Sequence, residues 1–235
     1  MIYAPTLVDA LLALVFGLVI PILMGIKGNQ TSQQELPEFS SHQKRQFYIA
    51  NSIFLFAMAF LVVMVWLYYQ RSFDILGFKQ PDETTATISY TLLIVFASLY
   101  FGDLYYSLKW DADSEDLIKK APFMPTRWSE LPSYLVLCIS AGVFEEVVFR
   151  GFLIPYVHSM LQHTFLASTW AVVIPTVVFS LAHMYQGKEA VLKIGVFSLL
   201  FGLLFFHSGS LLYVIIVHTL IDLIGGLATI TSKKA

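Results

Sequence analysis

A few ionisable residues stand in stretches of this chain that are otherwise almost wholly apolar: Asp103, Glu145, Glu146, Arg150, His183, Lys193, His218 and Asp222, with Asp9 nearer the edge of such a stretch. On insertion scales a charge at mid-bilayer depth costs roughly 2.5–3.5 kcal/mol, so such groups are kept for a pathway, a pair or a reaction. The densest cluster is Phe144-Glu145-Glu146-Val147-Val148-Phe149-Arg150-Gly151. At about 100° per residue, Glu146 and Arg150 form an i, i+4 pair on one helix face, whereas Glu145 points about 140° away from Arg150. The two glutamates should therefore play different parts. Glu146 has a cationic partner, and Arg150 has donors to spare for backbone carbonyls. Glu145 has no sequence-local partner, and a carboxylate drawn out of water with no cation beside it suits a general base near neutral pH.

Two histidine patterns follow. Phe179-Ser180-Leu181-Ala182-His183 sets a ring one turn from an imidazole, and His218-Thr219-Leu220-Ile221-Asp222 sets an imidazole one turn from a carboxylate. A single histidine in an apolar helix is more often a hydrogen-bonded packing residue. Three such clusters in separate late segments point instead to a shared site. Amide hydrolysis needs an activated water, a proton donor for the leaving nitrogen and stabilisation of the oxyanion. One carboxylate, two imidazoles and a further polar side chain supply these. The competing non-enzymatic reading is a small transporter, or a scaffold that uses buried Glu, His and Asp for proton relay or helix packing. Other protease chemistries fit less well: no HExxH motif occurs, no serine nucleophile pattern is present, and Gly102-Asp103 lacks the Gly-x-Gly-Asp context of an aspartyl site. Cys138 excludes an intrachain disulfide by being alone, and reads as a small packing residue.

The elements that must position these groups are membrane helices. Hydrophobic residues make up 57% of the 235, charged residues 13%, and the mean hydropathy is +0.71, which is not a soluble composition. The apolar residues form windows of about 20, the length that spans a bilayer core, and these lack the two-residue alternation of barrel strands. Seven windows are predicted as helices: Leu7–Ile26, Phe47–Tyr69, Ile88–Leu108, Ser133–Val157, Phe165–Tyr185, Ala190–Phe206 and Ser210–Ile230. The first lacks the basic start of a signal peptide and is taken as a span. The expectation is an all-α, polytopic transmembrane bundle of about seven spans, with the catalytic core in the last four. Trp66, Tyr68 and Tyr69 mark an interface, and Asp113–Lys120, acids first and lysines last, suggests a surface helix. Alternate loops carry ten Lys and Arg against two, which predicts the N-terminus outside and the C-terminus in the cytoplasm. No basic block invites nucleic acid. A rise of 1.5 Å per residue puts Glu145 about 18 Å from Ser133 and His218 about 18 Å from Ile230, a common depth. His183 lies only two residues from Tyr185, so either that boundary is misplaced or its helix ends in a water-filled cavity.

The ordered motifs Glu145-Glu146-x-x-x-Arg150, Phe179-x-x-x-His183 and His218-x-x-x-Asp222 resemble those of the CPBP intramembrane peptidases, which include CAAX prenyl endopeptidases and proteins linked to bacteriocin processing. The resemblance covers roughly residues 131–230. It implies an intramembrane endopeptidase with Glu145 as the base activating water and His183 and His218 completing the catalytic centre. Glu146 and Arg150 would support that centre, and Phe179 would shape its pocket. Asp222 stands where many relatives have Asn, leaving it to orient His218, hold the water or act protonated. The family is often labelled metallopeptidase, and Glu145, His183 and His218 form a His₂Glu set of the kind that holds zinc. The same groups also work without a metal, so either no cofactor is required or a divalent metal binds there. The implied partners are the lipid bilayer and a membrane-associated or prenylated peptide or protein substrate, with residues 1–130 as supporting helices and loops and 131–235 as the peptidase core. Compact loops suggest a bacterial cytoplasmic membrane.

Overall fold

The computed structural model describes residues 3–31, 39–110 and 122–232, and the suggested surface helix at Asp113–Lys120 lies outside them. Among the described residues every regular element is helical. The first window forms α1 (Leu7–Leu14), a wide π turn at Val15–Val19 and α2 (Ile20–Thr31). The next two windows form α3 (Ser41–Tyr68) and α4 (Ala86–Trp110). The fourth is one unbroken helical run over 131–161, made of α5 (Leu131–Ser140), two π stretches at Ala141–Glu145 and Val147–Leu153, and α6 (Ile154–Leu161). Then come α7 (Ala167–Ala182), α8 (Lys188–Ser208) and α9 (Leu212–Ser232). The seven windows thus coincide with seven helical segments in a helical membrane bundle. Five stretches, Leu7–Ile26, Ser41–Tyr68, Glu83–Ser107, Lys188–Ser208 and Leu212–Thr231, are individually long and apolar enough to cross a membrane.

The run over 131–161 is the axis of the bundle. Every residue from Glu146 to Pro155 is buried, because α3, α7, α8 and α9 pack around it. Its apolar faces and its Glu146–Arg150 pair are both covered by these neighbours rather than by lipid. Leu, Ile and Phe side chains on the outer helices, among them Ile53, Phe56, Ile94 and Leu192, face outward. In water that surface would be a large aggregation-prone patch; against lipid tails it is matched. One continuous apolar core joins Phe16 and Trp66 from the first half to Phe152, Phe205 and Val214 from the second.

Asp9 and Arg71 tie α1 to the loop after α3. Arg71 Nη1 and Nη2 each donate at 2.7 Å to Asp9, and the guanidinium lies 4.7–4.9 Å from the rings of Tyr3, Trp66 and Tyr69. This bidentate pair makes Asp9 a structural anchor. Lys193 pairs with Asp103 at 2.6 Å, linking α8 to α4. At the start of α9, Leu211 N–H donates to the Gly77 carbonyl at 2.9 Å. Gly77 has φ +87°, and a Cβ there would stand 2.5 Å from the Phe205 ring and 3.1 Å from the Leu211 nitrogen. No other residue type fits this crossing.

Candidate functional site

Each π stretch widens the helix by one residue per turn and so re-aims the side chains that follow it. The two glutamates take different positions, yet both address His218, one at each ring nitrogen. Glu146 Oε1 lies 2.7 Å from Nδ1, and Glu145 Oε2 lies 3.9 Å from Nε2. Asp222 Oδ2, one turn along α9, is 3.6 Å from the same Nε2. An ionised carboxylate only accepts, so Nδ1 carries the hydrogen that Glu146 receives. The expected i, i+4 pair is present, with Arg150 Nη1 donating to Glu146 Oε1 at 2.9 Å.

The Glu146–Arg150 pair is dry, whereas the carboxyls of Glu145 and Asp222 are not. Glu146 is fully buried and Arg150 nearly so. The Glu145 side chain is 14% exposed and that of Asp222 34%, so these two carboxyls meet whatever fills the cavity. The cavity, of about 400 Å³, is lined by Glu145, His183, His218 and Asp222 together with rings such as Phe149 and Phe179. Its walls are mostly apolar side chains, with these few polar groups converging at one place, the usual constitution of a ligand pocket. The lining continues to Phe47 at the start of α3, Phe123 before α5, and Tyr185.

His183 settles the question of its depth. α7 has 16 residues, about 24 Å of rise against a bilayer core of about 30 Å. It ends at Ala182 with His183 as its C-cap, and the chain turns through Met184–Gln186 before Gly187, at φ +93°, leads into α8. Tyr185 and Gln186 of that turn line the cavity beside His183. The helix does end in a cavity, and the drawn boundary at Tyr185 is corrected to Ala182. His183 Nδ1 lies 2.8 Å from the Phe179 carbonyl. A carbonyl cannot donate, so Nδ1 bears the hydrogen and Nε2 of the neutral ring presents its lone pair.

Phe179 does more than shape the pocket. Its ring is 4.7 Å from the Arg150 guanidinium carbon and 4.6 Å from the His183 ring centre, and it stands edge-on to His218 at 6.4 Å. Two α8 residues complete the surroundings. Phe201 lies 5.4 Å from the guanidinium on another side and 5.5 Å from the His218 ring, and Ser198 accepts from Arg150 Nη2. Neither stood out in the sequence. A serine and a phenylalanine in an apolar helix read as packing, and no spacing rule ties them to an arginine some fifty residues earlier. Of the other polar groups, Asp103 is partly exposed and engaged by Lys193, and it is not among the residues that line the cavity with Asp222. Cys138 is buried beside Tyr134.

Residues 127–224 match the family described as type II CAAX prenyl endopeptidase Rce1-like. All three motifs fall inside that stretch. The region is Rce1-like. The family resemblance read from the motifs is thereby borne out over that region, and it supports an intramembrane endopeptidase of the CAAX type in general terms. No curated protein and no solved structure gave a match. The metallopeptidase reading of this Rce1-like region finds no support in the geometry. Among the described residues no three His, Cys, Asp or Glu side chains are placed to hold one ion. His218 Nδ1 is held by Glu146 and His183 Nδ1 by a carbonyl, while Glu145 Oε2 and Asp222 Oδ2 stand 3.9 and 3.6 Å from His218 Nε2.

Proposed function

We propose that this chain hydrolyses a peptide bond of a membrane-associated or prenylated peptide or protein, with Glu145 as the base. The observation that carries the reading is that Glu145, alone of the two adjacent glutamates, opens onto the cavity where His183, His218 and Asp222 converge. A water between the Glu145 carboxylate and the His183 Nε2 lone pair gives one proton to Glu145 as its oxygen bonds to the scissile carbonyl carbon. The carbonyl oxygen becomes an oxyanion that accepts from the Nε2–H of His218 in its doubly protonated form, while Nδ1–H still donates to Glu146. Glu145 then returns the proton to the leaving nitrogen as the C–N bond breaks. Glu146, held by Arg150, stabilises that imidazolium through Nδ1–H and fixes its orientation. No step uses a metal. Residues 131–235 form the catalytic core and 1–130 its supporting helices. The excess of Lys and Arg on the side of Lys44, Lys188 and the C-terminus turns the cavity toward the cytoplasm.

The test is cleavage of a farnesylated peptide by the full chain in liposomes. Replacing Glu145 with Gln, in protein shown to insert normally, should reduce turnover by at least about 100-fold, the contribution of a positioned base. Full cleavage by that variant rejects the assignment. Proton-coupled flux without peptide fragments would favour the transporter instead.

A further inference from the structure

The hydrogen bond that orients the reactive imidazole is made by Glu146, and Glu146 is weakly held by itself. Its Oε2 is buried with no hydrogen-bond partner among the described residues, so its orientation rests on Oε1, shared between Arg150 and His218. The position of the carboxylate is therefore set by whatever fixes Arg150. Phe179 and Phe201 contact the guanidinium at 4.7 and 5.4 Å. Ring contacts of this kind restrain the position of a cation but leave it free to rotate in its own plane. In-plane rotation is stopped at the Nη1 end by Glu146. At the Nη2 end it is stopped by Ser198, whose Oγ accepts at 2.9 Å and whose carbonyl accepts at 3.3 Å. Ser198 is itself 2% exposed.

We propose that Ser198 is a positioning residue for the hydrolytic centre: its hydroxyl locks the Arg150 guanidinium, and through Glu146 it sets the orientation of His218. The inference rests on the peptidase reading for its kinetic consequence, but the structural coupling stands apart from it. α8 carries none of the three motifs, so this makes it a fourth helix with a direct part in the geometry of the site. The carbonyl of Ser198 remains in any substitution, and at 3.3 Å it is the weaker of the two anchors. Losing the hydroxyl should therefore loosen the centre without emptying it.

The experiment compares wild type, Ser198→Ala, Ser198→Thr and, as a control, Ser52→Ala, all as full chains in lipid nanodiscs. Ser52 is a buried serine whose hydroxyl bonds only within α3. Two readouts are taken: turnover of a farnesylated peptide, and the ring ¹⁵N resonances of His218 in histidine-labelled protein. Ser198→Ala should lower kcat about tenfold with KM unchanged, the signature of a group that acts on the transition state rather than on uniform binding. It should also shift the His218 Nδ1 resonance. Ser198→Thr, which keeps the hydroxyl, should restore both, and Ser52→Ala should move neither. Wild-type kcat and unmoved His218 resonances in Ser198→Ala would overturn the proposal. If wild type itself cleaves nothing, the peptidase reading fails and the resonances alone decide whether Ser198 positions His218.

Discussion

Gly142 offers the sharpest test of the idea that the site depends on how closely two segments cross. It lies in the π stretch three residues before Glu145, against Thr219, the neighbour of His218 on α9. A Cβ at Gly142 would stand 2.1 Å from Thr219 Oγ1, 2.9 Å from its backbone nitrogen and 3.1 Å from its Cβ. Ordinary contact begins near 3.5 Å, so Gly142→Ala must push the α9 backbone back by roughly 0.5 Å and the hydroxyl by more than 1 Å. Such overpacking costs about 1–3 kcal/mol of stability. The displacement falls on the gap between Glu145 and His218, now 3.9 Å. A misplacement of about 1 Å at reacting groups can cost about 100-fold, so a 10- to 100-fold loss of kcat is expected. The assay is turnover of a farnesylated peptide alongside thermal unfolding in the same detergent. Adding Thr219→Ala removes the hydroxyl clash and should recover part of the loss, while the clash with the backbone nitrogen remains. The reasoning is refuted if Gly142→Ala keeps wild-type turnover, or if turnover falls only as far as the folded fraction does.

Two further outcomes follow from the same geometry. Asp222→Asn preserves the shape and one hydrogen-bonding edge beside His218 Nε2, so peptide turnover should stay within about tenfold of wild type, whereas Asp222→Ala should lose about 100-fold; equal losses would show that the charge, not the positioned polar edge, is what matters. Outside the membrane, Glu130 precedes α5. Burial alone would push its carboxyl up, but the Ser41 hydroxyl, the Thr126 amide and the Lys44 ammonium together hold it below its ordinary value of 4.5. A carboxyl lowered in the folded state contributes stability that is present above pH 4.5 and lost as pH falls through the folded value. Glu130→Gln should accordingly lower the unfolding temperature near pH 7 by more than it does near pH 3.5, and a pH-independent difference would contradict this.

The membrane character of this chain and its seven helical segments were legible from composition and window length alone, since about 20 uncharged residues leave a backbone in lipid no alternative but a helix. The identities of Glu145, Glu146, Arg150, His183, His218 and Asp222 were legible too, because charge in such windows is rare and costly enough to stand out. The positions of Asp9 and Asp103 stood out for the same reason, yet what they do is set by Arg71 and Lys193, which sequence distance hid. Local spacing gave the Glu146 and Arg150 pair correctly. It could not give the partner of Glu145, because His218 is distant in sequence and the π turns at 141–145 and 147–153 depend on the packing of α3, α7, α8 and α9 around that run. Only the tertiary structure decided that both glutamates meet one imidazole, that α7 stops short inside a cavity, and that α8 holds Arg150 through Ser198. Those facts are contacts between residues some fifty to seventy positions apart. A sequence fixes which groups are costly to bury, while the fold decides which of them share the cost.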